Sequence, residues 1–205
     1  MHDRTRIKVC GVTTPESVDS AIEAGVDAVG VVLSPSPRQI TPQHATELLS
    51  RLPGYVAGVA VYRHPDDALV AQAAEHLPPW VLHQSDADDF AGALRATAPD
   101  RRVPVLRLVD GFEDRMARLT DQFVLIEGAD SGVGNPVDWH RASAWTERVR
   151  VVIAGGLNPA NVGEVVRSLR PFAVDVSSGV ESSPGVKDAG RIRAFVAAVR
   201  EAERA

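Results

Sequence analysis

Apolar positions along the chain fall into two alternating patterns. Short β-branched runs over 7–9, 28–33, 56–62, 80–83, 103–108, 123–127, 149–154 and 173–176 alternate with Ala-rich segments whose apolar residues recur at helical spacing. That alternation predicts βα units and a parallel sheet. The runs recur every ~20 to 28 residues, enough for one strand, one helix and two short loops. The run at 80–83 follows Pro78 and Pro79, so it reads as a short strand or an extended loop.

Helix boundaries support the same division. Thr14-Pro15-Glu16 precedes Val18, Ala21 and Ile22, and Gly25 stands where a helix would close. Thr41-Pro42 opens the next segment before Ala45, Leu48 and Leu49. At the far end, Ile192, Phe195, Val196 and Val199 predict a closing amphipathic helix. Eight βα repeats imply closure into a single-domain (β/α)8 barrel over residues 1–205, an α/β fold of the TIM type. An open doubly wound sheet is the alternative, and strand count separates the two.

Two turns give this barrel a functional end. The run 173–176 contains Asp175 and passes into Ser177-Ser178-Gly179, while the preceding run ends in Ala154-Gly155-Gly156-Leu157-Asn158-Pro159. Such turns converge backbone N–H groups and hydroxyls on a small anion such as phosphate. In (β/α)8 barrels a phosphate site commonly forms from the loops after strands seven and eight, where these two turns fall.

Composition narrows the partners. A net charge of -5 without a dense Lys/Arg block argues against nucleic acid and favours a small molecule. One cysteine, Cys10, excludes an internal disulfide framework and suits a reducing, cytoplasmic setting. No apolar run approaches the roughly 18 residues of a membrane span. The scattered His2, His44, His64, His76 and His140 show no metal-ligand spacing, so neither metal nor cofactor is expected.

Several residues at strand ends can carry chemistry. Cys10 ends the first strand beside Gly11, with Lys8 two residues earlier on the same side. A thiolate there is a candidate base if its pKa is lowered, and a buried small apolar residue is the plainer reading. Glu127 ends the sixth strand and Asp130 lies just beyond; a partly buried carboxyl at the mouth is a candidate acid or base. Arg38, in Ser34-Pro35-Ser36-Pro37-Arg38, suits a ligand carboxylate, and His83 reads as an acid/base or supporting group at the end of strand four.

Taken together these motifs resemble phosphoribosylanthranilate isomerase, a small (β/α)8-barrel family of tryptophan biosynthesis. The resemblance rests on Lys8-Val9-Cys10-Gly11-Val12-Thr13, Glu23-Ala24-Gly25-Val26-Asp27-Ala28-Val29-Gly30, Ser36-Pro37-Arg38, Asp138-Trp139, the turn 154–162 and the motif 174–188. It implies a cofactor-free Amadori rearrangement of a phosphoribosyl substrate, in a monomer or homodimer. By that resemblance Cys10 is the base and the carboxyl at the end of strand six the acid. It likewise places Arg38 near the anthranilate carboxylate, Asp175 near sugar hydroxyls, and Gly155, Gly156, Ser178 and Gly179 around phosphate.

The chain departs from the family pattern at the mouth. Leu125-Ile126-Glu127 stands where the family has Leu-Leu-Asp, lengthening the acid by one methylene. Ser131-Gly132-Val133-Gly134-Asn135 replaces Gly-Gly-Thr-Gly-Lys, and Val81-Leu82-His83-Gln84 is set against Gln-Leu-His-Gly. Intact phosphate turns beside altered acid and aryl-side segments leave two further readings: a paralogue for another phosphoribosyl arylamine, or a non-catalytic phosphosugar-binding barrel.

Overall fold

The computed structural model describes residues 4–119, 123–128 and 139–204. Eight parallel strands form a closed barrel in sequence order: β1 (Arg6–Cys10), β2 (Ala28–Val32), β3 (Ala57–Val61), β4 (Leu82–Asp86), β5 (Arg102–Arg107), β6 (Phe123–Glu127), β7 (Arg150–Ile153) and β8 (Ala173–Val176). β8 pairs with β1, Lys8 lying in register with Asp175, which completes the ring. The open-sheet alternative is thereby excluded.

Side chains alternate across each strand, so the apolar residues divide into two layers. Ile7, Val9, Val29, Val31, Val124, Ile126, Val151 and Ile153 face outward and pack with the helices in the larger cluster. A smaller cluster of Val103, Val105, Leu125, Val152, Ala154 and Ala173 fills the lumen. On one side of that lumen the alternation places Lys8, Cys10 and Asp175 instead, all buried.

The helices follow their sequence signals where those are strong. α1 (Pro15–Ala24) opens on a Thr14 capping box with Ser17 and ends at Gly25 in the left-handed region. α2 (Pro42–Leu49) is capped by Thr41, and α3 (Asp67–His76) by Asp66. α4 (Phe112–Arg118) packs on β5, and α5 (Val162–Leu169) packs beside the last helix of the chain. A short hairpin, β9 (Glu181–Ser183) with β10 (Val186–Lys187), precedes α6 (Ala189–Ala202), which buries Ile192, Phe195, Val196 and Val199.

Two expectations are corrected. The fourth strand begins at Leu82, not at residue 80, and runs to Asp86; Trp80 stays 41% exposed and lays its ring over Gly58. The polar run His83-Gln84-Ser85-Asp86 conceals a strand whose inward positions serve the site instead of the core. After β4, moreover, the chain makes 3-10 turns at Ala87–Phe90 and Pro99–Arg101 in place of an α-helix, in a stretch interrupted by Gly92 and Pro99.

Candidate active site

At the C-terminal strand ends lies a cavity of about 370 Å³ whose wall includes Cys10, Arg38, Asp86, Arg107, Glu127 and Asp175. β1 supplies its thiol. Lys8 Nζ donates to Asp175 Oδ2 at 2.7 Å, and both side chains are 7% exposed. A buried ion pair of this kind fixes geometry more than it adds stability. Burial pushes the Cys10 thiol up, while Lys8 and Lys187 pull the other way. The net direction keeps the resting sulfur protonated, with two cations available to favour its ionisation.

Gly30, opposite Cys10 in β2, makes this packing possible. A Cβ there would stand 3.1 Å from Cys10 Sγ and 3.1 Å from Lys8 Nζ. The space a side chain would occupy is therefore filled by the reactive pair.

Across the mouth, Glu127 closes β6. Burial raises its carboxyl above the usual range, Arg107 opposes the shift, and Asp86 and Asp175 reinforce it. Arg107 from β5 joins two carboxylates, its Nη1 donating to Asp86 Oδ1 at 2.5 Å and its Nη2 lying 3.1 Å from Glu127 Oε1. Asp86 Oδ2 has no hydrogen-bond partner among the described residues, although His64 Nε2 lies 3.2 Å away without hydrogen-bond geometry. Gln84 Oε1 and Asp175 Oδ1 are likewise buried without a hydrogen-bond partner among the described residues. Buried acceptors that lack a hydrogen bond are costly, and three of them on residues lining one cavity suit a ligand rich in O–H and N–H donors.

The phosphate-suited turns adjoin the same cavity. Gly155 and Gly156 adopt φ of 88° and 68°, a region that favours glycine, and Asn161 braces the turn through bonds with Gly156 O and Asn158 N. The N–H groups of Gly155, Gly156, Ser178 and Gly179 make no hydrogen bond to any described residue. Gly155, Gly156 and Ser178 line the cavity. Gly179 instead sits against the neighbouring turn, where a Cβ would come within 2.0 Å of Leu157 O. Only a glycine lets the two turns approach so closely.

Arg38 reaches the cavity with its fork already occupied. Nε and Nη2 each donate to a Glu181 carboxylate oxygen at 2.7 Å, and Lys187 Nζ donates to Glu181 Oε1 at 2.7 Å. Burial alone would raise Glu181, but the two cations hold it down at about 2.

His83 does not reach the cavity. It takes an outward position on β4, stacks on Tyr62 and shares a 3.2 Å hydrogen bond with the Tyr62 hydroxyl, while Gln84 and Asp86 point inward. The spacing of Gln-Leu-His-Gly is thus met by Gln84-Ser85-Asp86-Ala87, not by Val81 to Gln84. Asp130 lies outside the described residues, as do 131–135 and Asp138.

Asp86, Arg107, Glu181 and Lys187 were not read from sequence. Arg107 ends a strand as Glu127 does, and that position was the available signal. Glu181 and Lys187 lie inside the 174–188 motif, but their ion pairs depend on the hairpin. His64, Asp86 and Asp89 also bring ligand-type atoms within 4.8 Å of one another, a grouping that linear spacing hides, and Arg107 already neutralises part of its charge.

Fold and site together define a class: a (β/α)8 barrel with free N–H donors after β7 and β8 and with thiol and carboxyl groups at one mouth, suited to acid–base chemistry on a phosphorylated small molecule. Comparison makes this specific. The family model for N-(5'phosphoribosyl)anthranilate (PRA) isomerase matches residues 7–198, and the chain belongs to that family. It is 43% identical to N-(5'-phosphoribosyl)anthranilate isomerase of Dechloromonas aromatica (strain RCB), covering 98% of each chain. With the Leptothrix cholodnii relative of the same name it shares 41% identity, over 98% of this chain and 93% of the other. Among solved structures, phosphoribosyl anthranilate isomerase from Thermotoga maritima matches with TM-score 0.85 at 30% identity, over 96% and 99% of the two chains. A structure of such an enzyme in complex with reduced 1-(o-carboxyphenylamino)-1-deoxyribulose 5-phosphate matches with TM-score 0.81, again at 30% identity and 96% and 99% coverage.

Proposed function

We propose that the protein isomerises N-(5'-phosphoribosyl)anthranilate to 1-(2-carboxyphenylamino)-1-deoxyribulose 5-phosphate. The observation that carries this reading is one cavity walled by Cys10, Glu127 and the Gly155, Gly156 and Ser178 turns, in a chain of this family. The phosphate is held by the free N–H groups after β7 and β8. Oxygens of Gln84, Asp86 and Asp175 that make no hydrogen bond among the described residues accept from the sugar hydroxyls and the amine.

The protonated Glu127 gives its proton to the ring oxygen. As the C1′–O bond breaks, the nitrogen lone pair forms a protonated Schiff base at C1′. The Cys10 thiolate then takes the C2′ proton, and the C2′–H electrons form the C1′–C2′ double bond while the C=N pair returns to nitrogen. The resulting enolamine loses its hydroxyl proton and gains one at C1′ to give the ketone. A proton passes from Cys10 back to Glu127 through solvent to reset the pair. Burial supports the acid role, because a carboxyl with a raised pKa holds its proton nearer neutral pH.

The same reading gives a single domain over residues 1–205, working in the cytoplasm as a monomer or homodimer with no cofactor. It is supported by a single closed barrel, and no described helix is long and apolar enough to cross a membrane. One solved relative is a monomer generated from the dimeric phosphoribosylanthranilate isomerase of Thermotoga maritima, so both states occur on a closely similar barrel. Steady-state assay of purified protein with freshly generated substrate tests the reading. Turnover that disappears in Cys10→Ala is expected, and absence of turnover in folded wild-type protein overturns it.

A further inference from the structure

Glu127 carries its carboxyl on two methylenes, a stem with several rotatable bonds that leaves the group loosely placed unless a neighbour holds it. Something must fix it. The groups facing Glu127 are Arg107 from β5, Asp86 from β4, Asp175 from β8 and Arg63 from the loop after β3. Of these, Arg107 touches the Glu127 carboxyl, with Nη2 3.1 Å from Oε1, while Nη1 is held at 2.5 Å by Asp86 Oδ1. A guanidinium bonded at both ends is oriented as a lysine ammonium cannot be. Asp86 is 8% exposed and stands at the end of β4, one strand beyond the strand that carries Arg107.

This arrangement meets two requirements that conflict. An arginine beside an acid positions it but also favours loss of its proton, which a proton donor must avoid. A second carboxylate on the far end of the arginine offsets that charge without loosening the clamp. From this geometry, and resting on the proposed role of Glu127, we infer that Asp86 and Arg107 form a charge-balanced clamp: Arg107 positions the Glu127 carboxyl, and Asp86, bonded to the far end of the guanidinium, balances its charge. Asp86 and Arg107 act through Glu127 and are positioning residues.

The test reads the Glu127 carboxyl directly, by 13C NMR titration of the full chain with labelled glutamate and with Glu127→Gln to assign the signal. Asp86→Asn leaves Arg107 uncompensated and moves the Glu127 titration to lower pH by roughly half a unit or more. Arg107→Met moves it to higher pH. The double variant returns it toward the wild-type value, because both charges are gone. Arg107→Lys keeps the charge but not the fork; its Glu127 titration stays close to wild type while kcat falls at least about tenfold and KM changes little.

Opposite shifts in the single variants, cancelling in the double, support the clamp. Shifts of the same sign, or none in folded protein, overturn it. If Arg107→Met does not fold, Asp86→Asn and Arg107→Lys still decide the matter. Because the titration needs no turnover, an inactive wild-type enzyme refutes the proposed function and leaves this result separately readable.

Discussion

At the scale of single residues, close approach counts for more than composition. Gly30 keeps open the space into which Cys10 and Lys8 project, so Gly30→Ala pushes the sulfur and ammonium aside at the ends of flexible side chains. The outcome expected is a loss of kcat of about a hundredfold with a stability cost of roughly 1 kcal/mol, checked by kinetics beside thermal unfolding. Unchanged kcat would show that the thiol does not depend on this clearance. Gly179→Ala is different in kind: the added carbon strikes backbone, Leu157 O, which cannot move aside as a side chain does. Loss of phosphate binding with destabilisation of about 2 kcal/mol is expected, measured by inorganic phosphate titration and denaturant unfolding. That Cys10, Glu127 and the Gly-rich turns 154–159 and 177–179 stand at one mouth was legible in sequence, because each follows or ends a strand. Asp86, Arg107 and Glu181 were not, because an ion pair between distant segments leaves no local pattern.

At the scale of elements, the β9–β10 hairpin ties the loop after β2 to the barrel mouth. Glu181 accepts from Arg38 and from Lys187, and its depressed pKa makes this a pH-dependent anchor. A carboxylate held down in the folded state contributes stability above its unfolded pKa near 4.3, and that contribution fades as pH falls toward 2. Glu181→Gln therefore costs roughly 2 to 3 kcal/mol at pH 7, less than a fully buried pair because Arg38 remains partly exposed. Denaturant unfolding should show the gap between variant and wild type narrowing between about pH 4 and pH 2. A constant gap would contradict the assignment. Strand β4 shows why one element was misplaced from sequence. Two prolines and the exposed Trp80 drew the predicted strand two residues early, and a strand facing a polar site lacks the apolar run by which strands are found.

At the scale of the whole molecule, eight strands bring an acid and a thiol from opposite sides of the ring to one cavity, with protonation preferences that run against their proposed tasks. Ordinary glutamate and cysteine pKa values differ by about four units, and burial pushes both upward here. The productive form, with Glu127 protonated and Cys10 ionised, is then a minority state between the two pKa values. The pH profile of kcat/KM should be bell-shaped, its low-pH limb set by Glu127 above the usual carboxylate range and its high-pH limb by Cys10. A profile that rises without limit toward alkaline pH would remove the acid from the mechanism. The barrel itself was legible from the eightfold recurrence of strands, which periodicity records regardless of the 3-10 turns that, among the described residues, stand in place of an α-helix after β4 and after β6.

In the proposed reaction Cys10 and Glu127 together isomerise a phosphoribosyl arylamine. The fluorescence of freshly generated phosphoribosylanthranilate, followed with wild-type protein, Cys10→Ala and Glu127→Gln in parallel, tests that pairing. Wild-type turnover is predicted, abolished by the first substitution and cut by at least about a hundredfold by the second. Near-normal rates in both variants, or no turnover by a folded wild-type protein that still binds a phosphoribosyl product analogue, would contradict it.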